Sequence, residues 1–255
     1  MTKTIAVAGK GGTGKTTLSA LLIRSLLRRT RGPILAIDAD PATNLHMALG
    51  LGMPATVGEI RETMLVTAQA GQLGVSITRQ DYLSREVQMA LEEGDQFDLL
   101  AMGRPEGQGC YCAVNHLLRQ IVDMLGRNYE YVVIDNEAGM EHISRRTTKD
   151  VDLLLIVTDP TVRGVRAAQG IASLGKDVEV NVRRMMLVVN RVQGELPPPL
   201  RAAMDELGLE LAGLIPADDR IGDYDALGKP LVSLNGDSPA IREIDAMAAR
   251  FVDSL

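Results

Sequence analysis

Cysteine is nearly absent. The 255-residue chain has two, Cys110 and Cys112, with Tyr111 alone between them. A disulfide framework is therefore not expected, because a bridge between residues two apart would be strained. Long apolar runs are missing too. No stretch reaches the roughly 18 apolar residues that a membrane-spanning helix needs, so no membrane association is expected. The opening MTKTIAVAGK lacks the apolar core of a signal peptide. A cytoplasmic location is expected, where thiols stay reduced. No long basic run occurs, net charge is −6 and the sequence pI is about 5.2. That balance speaks against strong nonspecific nucleic-acid binding, and no nucleic-acid partner is expected. Lysine is scarce, with six against 21 arginines. No internal repeat or low-complexity segment breaks the chain.

The chain is 45% hydrophobic, enough for one large core, and a single domain over residues 1–255 is expected. Short apolar runs alternate with amphipathic stretches. TKTIAVAG, PILAIDAD, QFDLLAMG, YEYVVIDN, VDLLLIVTDP, RMMLVVNRV and LELAGLIP read as strands apolar on both faces. Such strands suit a parallel sheet covered on both sides. TTLSALLIRSLLRR reads as a helix with Leu18, Leu21, Leu22 and Leu26 on one side. HLLRQIVDMLG, VRGVRAAQGIASLG and the closing SPAIREIDAMAARFVDSL read as further helices, the last with a Ser-Pro start signal. GELPPPL, residues 194–200, reads as a connecting loop. The alternation predicts an α/β, doubly wound, mostly parallel sheet with helices on both faces.

GKGGTGKT, Gly9 to Thr16, fits the phosphate-loop pattern between a first strand and a first helix. Its glycines let backbone N–H groups converge on phosphate oxygens, and the helix start adds positive potential. Gly11, Gly12, Thr13, Gly14, Lys15, Thr16 and Thr17 are the candidate nucleotide contacts. Lys15 is expected on the β/γ-phosphates and the Thr16 hydroxyl on Mg²⁺. Asp38 and Asp40 of DADPATNL end the second strand near the phosphates, where a carboxylate can hold Mg²⁺, orient water, or simply cap a helix. Asp135 ends the strand YVVID and is a further Mg²⁺ candidate.

Two of the six lysines, Lys10 and Lys15, lie in this one loop. The run KGGTGKT resembles the deviant Walker A loop of the MinD/ParA/nitrogenase iron protein superfamily, and the resemblance extends over essentially the whole chain. It implies an ATPase that hydrolyses ATP to ADP and phosphate. It implies that Lys10 reaches across a nucleotide-bridged homodimer, with Lys10, Lys15 and Asp40 catalytic, Asp40 positioning water and Asp38 in the Mg²⁺ shell. An asparagine at the end of VVN, Asn190, reads adenine in that superfamily. Arg191 follows it and is a further nucleotide-contact candidate, and the aspartate of a guanine-specific N-K-x-D motif is missing, which favours ATP over GTP. IPADD, residues 215–219, resembles the loop that closes over the base, making Pro216 and Asp218 nucleotide candidates.

Three readings of the cysteines compete: two ordinary buried thiols, a strained disulfide, or a metal site. One C-x-C supplies half of a tetrahedral set, and a two-fold dimer would supply the other half. Thiolates suit Zn²⁺ and Cu(I) and also bind Ni²⁺. His116 is a surface histidine or a third ligand; His46 and His142 have no ligand spacing. GKGGTGKTT, DADPATNL, GCYC and DNEAGMEH together resemble the CooC-type nickel-inserting ATPases. This resemblance implies Ni²⁺, with Zn²⁺ possible, held by Cys110 and Cys112 of both copies and delivered to carbon monoxide dehydrogenase. A cousin that matures acetyl-CoA synthase and a MinD/ParA-type positioning switch are the alternatives.

Overall fold

Ile5 and Val7 face one side of a sheet and Ala6 and Ala8 the other, and both sides are buried. A strand with no polar face belongs in the middle of a parallel sheet. The computed structural model describes residues 2–69, 79–103, 121, 124–138, 150–177, 181–234 and 238–254. Its strands are β1 (Lys3–Gly9), β2 (Ile34–Asp38), β3 (Glu92–Glu93), β4 (Phe97–Ala101), β5 (Tyr131–Asp135), β6 (Asp150–Thr158), β7 (Asn181–Val192) and β8 (Glu210–Pro216). They form one sheet in the order β3-β4-β2-β5-β1-β6-β7-β8. Every pairing is parallel except that of the short β3 with β4. The expected fold class is found. Each predicted strand forms; β3, two acidic residues without an apolar pattern, was not foreseeable.

The helices are α1 (Lys15–Leu27), α2 (Leu45–Leu49), α3 (Val57–Gln69), α4 (Arg79–Met89), α5 (Val162–Asp177), α6 (Pro198–Leu207), α7 (Asp219–Ala226) and α8 (Pro239–Ser254). One buried cluster joins Ile5 and Val7 to α1 and α8; the other joins Ala6 and Ala8 to Leu35, Ile37, Ile121 and Ala168. The sheet is thus covered on both faces. Among the described residues no helix is long and apolar enough to cross a membrane.

Three local expectations need comment. α1 is buried all round from Leu18 to Leu26 rather than on one side, because α8 packs over its outer face. Arg24 is caught in that contact. Its Nε donates to the Leu234 carbonyl at 3.0 Å, and its guanidinium pairs with Asp245 of α8 at 3.5 Å. GELPPPL is not wholly a loop: α6 begins at Pro198 with Pro197 as its N-cap. Proline's fixed φ suits a first helical turn, where its missing N–H costs nothing. HLLRQIVDMLG lies mostly outside the described residues, though Ile121, Met124 and Leu125 are helical.

β1, β2, β5, β7 and β8 all end at one edge of the sheet. In the β2–β5 register Asp38 stands opposite Asp135, and in β1–β5 Val7 does. Parallel pairing therefore gathers the predicted acidic residues beside the phosphate loop, as expected at the carboxyl edge of such a sheet.

Candidate nucleotide-binding site

The loop from Gly9 to Lys15 turns back on itself around one carbonyl. Lys10 O accepts the Thr13 hydroxyl at 2.8 Å, the Thr13 N–H at 3.4 Å and Lys15 Nζ at 3.4 Å. Gly12 and Gly14 take φ of 81° and 89°, a region that penalises any side chain. Gly14 is also sterically closed: an added Cβ would lie 2.5 Å from Asn190 Nδ2. α1 starts there with no side-chain cap and no acidic residue in its first turn. Its leading N–H groups and dipole are left for an anion. The adjoining cavity, 350 Å³, is lined among others by Gly11, Lys15, Thr16, Thr17, Asp40 and Glu137. Lys10 itself is exposed, and no ion pair among the described residues includes it.

Asp135 is buried at the end of β5 and held from α1. Thr16 Oγ1 donates to its Oδ2 at 2.6 Å, and Ser19 Oγ to its Oδ1 at 3.2 Å. Burial pushes its carboxyl up to about 6, against the opposing pull of the Thr16 hydroxyl and the Lys15 charge. Asp38 is fully buried. Its Oδ2 accepts the N–H of Leu45, the first residue of α2, at 2.8 Å, and its Oδ1 accepts the Asp40 N–H at 3.1 Å. The helix-capping reading is therefore realised at Asp38, seven residues ahead of the helix it caps. Burial first, and then the neighbouring Asp135 charge, push Asp38 up to about 7, although the Leu45 N–H pulls it down. Asp40 accepts the Ala42 N–H at 2.9 Å and borders the phosphate cavity.

A second cavity, 560 Å³, opens beside the loop and is lined by Thr17, Asn190, Arg191, Gln193, Pro216 and Asp218 among others. The β7–β8 register breaks between Val189 and Val192. Asn190 and Arg191 occupy that break, and both turn onto the phosphate loop. Asn190 Nδ2 donates to Thr13 O at 2.8 Å, and its Oδ1 accepts the Arg191 N–H at 2.9 Å. Beyond these two bonds the carboxamide has one further N–H and one further lone pair. Asp218 caps α7 through the Arg220 N–H at 3.1 Å and is bonded to Ser238 ahead of α8. Pro216, at the end of β8, completes this wall.

A family model, the CobQ/CobB/MinD/ParA nucleotide binding domain, matches residues 4–231. The chain belongs to this family. It is thus a member of a group of ATP-binding P-loop ATPases. An uncharacterized ATP-binding protein of Methanocaldococcus jannaschii is 42% identical over 249 residues, covering 98% of each chain. The carbon monoxide dehydrogenase accessory protein CooC of Rhodospirillum rubrum is 32% identical over 252 residues, covering 94% of this chain and 92% of that one. The septum site-determining protein MinD of Pyrococcus horikoshii, solved with Mg-ADP, superposes with a TM-score of 0.70 at 21% identity, covering 98% and 96%. The last of these bears on the fold.

Within this family site, the structure brings together Gly11 to Thr17, Asp38, Asp40, Asp135, Asn190 and Arg191, with Pro216 and Asp218 on the neighbouring wall. Cys110, Cys112 and His116 lie outside the described residues, and among those described no cluster of possible metal ligands occurs. Sequence reading missed Ser19. A small polar residue on a buried helix face, one turn after Lys15, was the available signal. It also missed Asn136, which is buried and whose Nδ2 ties β5 to Val7 O at 2.9 Å. Its partner is the backbone of β1, a contact that no pattern along the chain announces.

Proposed function

We propose that this family member is an ATPase whose nucleotide-bridged homodimer binds nickel and delivers it to carbon monoxide dehydrogenase. One observation carries the reading. A chain with Lys10 in its phosphate loop and a lone C-x-C is 32% identical, over 94% of its length, to a carbon monoxide dehydrogenase accessory protein.

The nucleotide part is supported by the site. Lys15 and the uncapped start of α1 would take the terminal phosphates. Thr16 and Asp135 would hold Mg²⁺. Their hydroxyl and carboxylate already meet at 2.6 Å, and a hard cation takes such oxygen ligands. The bound ion would supply positive charge against the phosphate oxygens. Asp38, with both oxygens engaged by backbone N–H groups, would meet the ion through water. Asp40, beside the phosphate cavity, would position the attacking water. Asn190, Pro216 and Asp218 would line the adenine side. Lys10, exposed and without an ion pair among the described residues, is free to reach a partner's ATP.

The nickel part is supported by composition and symmetry. Cys110 and Cys112 supply two thiolates, and a second copy would bring the count to the four a closed thiolate site needs. Zn²⁺ could occupy the same thiolates. ATP binding would favour the closed dimer, and hydrolysis would release the metal. Acetyl-CoA synthase is the alternative client. A MinD/ParA-type positioning switch is the second reading, supported by the matching family model, whose members include MinD and ParA.

Metal analysis of the purified protein, with and without MgATP, separates these readings. The wild type should hold about one Ni²⁺ per dimer. A Cys110→Ser, Cys112→Ser double variant should lose that metal and keep MgATP binding. Equal nickel content in both proteins would sink the metallochaperone reading while leaving the ATPase intact.

A further inference from the structure

Arg191 stands in a backbone conformation that arginine avoids. Its φ is 59°. A left-handed turn is unfavourable for a non-glycine residue, and such outliers persist where surrounding structure enforces them. Here the enforcing contacts are visible. The β7–β8 ladder breaks around the residue, and Asn190 Oδ1 holds the Arg191 N–H at 2.9 Å. The result is that the guanidinium lies over the phosphate loop, with Nη1 donating to Gly12 O at 3.1 Å.

Only one of its five N–H groups is used there. No carboxylate pairs with Arg191 among the described residues, in a chain of net charge −6. Arg191 also has a singular position. Of the described residues bordering the phosphate cavity, it and Thr17 alone also border the 560 Å³ cavity next to Asn190 and Pro216.

Covalent connectivity decides what passes that point. In a nucleoside triphosphate, ribose and α-phosphate are the link between base and β-phosphate. A ligand with its base in one cavity and its terminal phosphates in the other must thread ribose and α-phosphate past Thr17 and Arg191. Of the two cavities Lys15 borders only the phosphate cavity, and its Nζ turns back to Lys10 O at 3.4 Å. We propose that Arg191 is the cation that binds the α-phosphate, so that the site grips adenine nucleotides at the junction of its two cavities. The inference rests on the reading of this site as a nucleotide site and adds a residue role to it. The backbone strain then has a use: it aims a forked donor at one phosphate before ligand arrives.

The test is a set of titrations of ATP, AMP, adenosine and inorganic tripolyphosphate against wild type, Arg191→Ala, Arg191→Lys and Arg191→Asn. Asparagine tolerates the left-handed backbone, so the last variant guards against misfolding of the alanine one. Both Arg191→Ala and Arg191→Asn should weaken ATP and AMP by the same factor, roughly tenfold to a hundredfold, the range for a lost charge-assisted hydrogen bond. Adenosine and tripolyphosphate should change by less than about threefold. Arg191→Lys should recover part of the loss. Unchanged ATP and AMP affinity overturns the proposal. Equal weakening of tripolyphosphate also overturns it and assigns Arg191 to holding the loop alone. Equal weakening of adenosine overturns it in favour of stacking on the base. Wild-type protein that binds none of the four overturns the nucleotide site itself, and this inference with it.

Discussion

The Thr16 hydroxyl and the Asp135 carboxylate, 119 residues apart in sequence, meet at 2.6 Å. Ser19, one turn along the same helix, takes the other carboxylate oxygen. The end of β5 is thereby tied to the start of α1, and both proposed Mg²⁺ ligands are in place before any ion arrives. Asp135→Asn keeps this shape and removes the charge. It should fold normally and bind ATP, yet lose most of the gain in affinity that Mg²⁺ brings, by roughly tenfold or more. Calorimetric titration of ATP with and without Mg²⁺ checks this. An undiminished Mg²⁺ effect would remove Asp135 from the metal site.

Asp135 and Asp38, pushed up to about 6 and about 7, retain protons that an unfolded chain releases near its ordinary carboxylate value of 3.8. The folded state binds more protons across that window, so unfolding free energy falls as pH rises from about 4 to about 7. Below that window both states are protonated and the penalty vanishes. Urea denaturation across the window should show the decline, and Asp38→Asn should flatten its upper part. Mg²⁺ binding runs the other way: it needs the Asp135 carboxylate ionised and should weaken as pH drops through about 6.

Lys10 and Lys15 are five residues apart and point to separable roles. Lys15→Ala removes the buried ammonium beside the phosphate cavity and should abolish tight ATP binding. Lys10→Ala should bind ATP nearly as wild type but fail to dimerise with it and fail to hydrolyse it. Sedimentation with and without MgATP reads both. A Lys10 variant that still dimerises on ATP addition would refute a role across the interface.

Arg24 is buried in α1, while its partner Asp245 retains some solvent contact. Removing each side of this pair should therefore give unequal losses. Asp245→Ala strands a buried guanidinium and should cost about 3 kcal/mol. Arg24→Met removes the buried charge, keeps most of the volume, and leaves an aspartate that water can reach, so it should cost about 1 kcal/mol. Chemical denaturation of both variants decides the order; equal losses would mean that the pair is not limiting.

Much of this molecule could be read along the chain. The strands were legible because burial on both faces demands uninterrupted Val, Ile and Leu, as in LLLIV of β6. The phosphate loop was legible because its glycines, Lys15 and Thr16 act within eight consecutive residues. The start of α6 was harder, because prolines signal a loop and a helix start alike. Ser19 was passed over because its partner, Asp135, lies on a strand 116 residues further along the chain. Asp38 had three readings that chain-local reasoning could not separate, since the helix it caps begins seven residues later.

The sequence alone therefore determined the alternation of strands and helices, the phosphate loop, and which residues could carry charge at strand ends. These depend on local periodicity and on a few adjacent residues. Tertiary structure decided which distant partners meet: Thr13 with Asn190, Thr16 with Asp135, Gly12 with Arg191, Arg24 with Asp245. Strand order and register set those pairings. Neither is encoded in any single segment, because each strand finds its neighbours only when the whole sheet is buried.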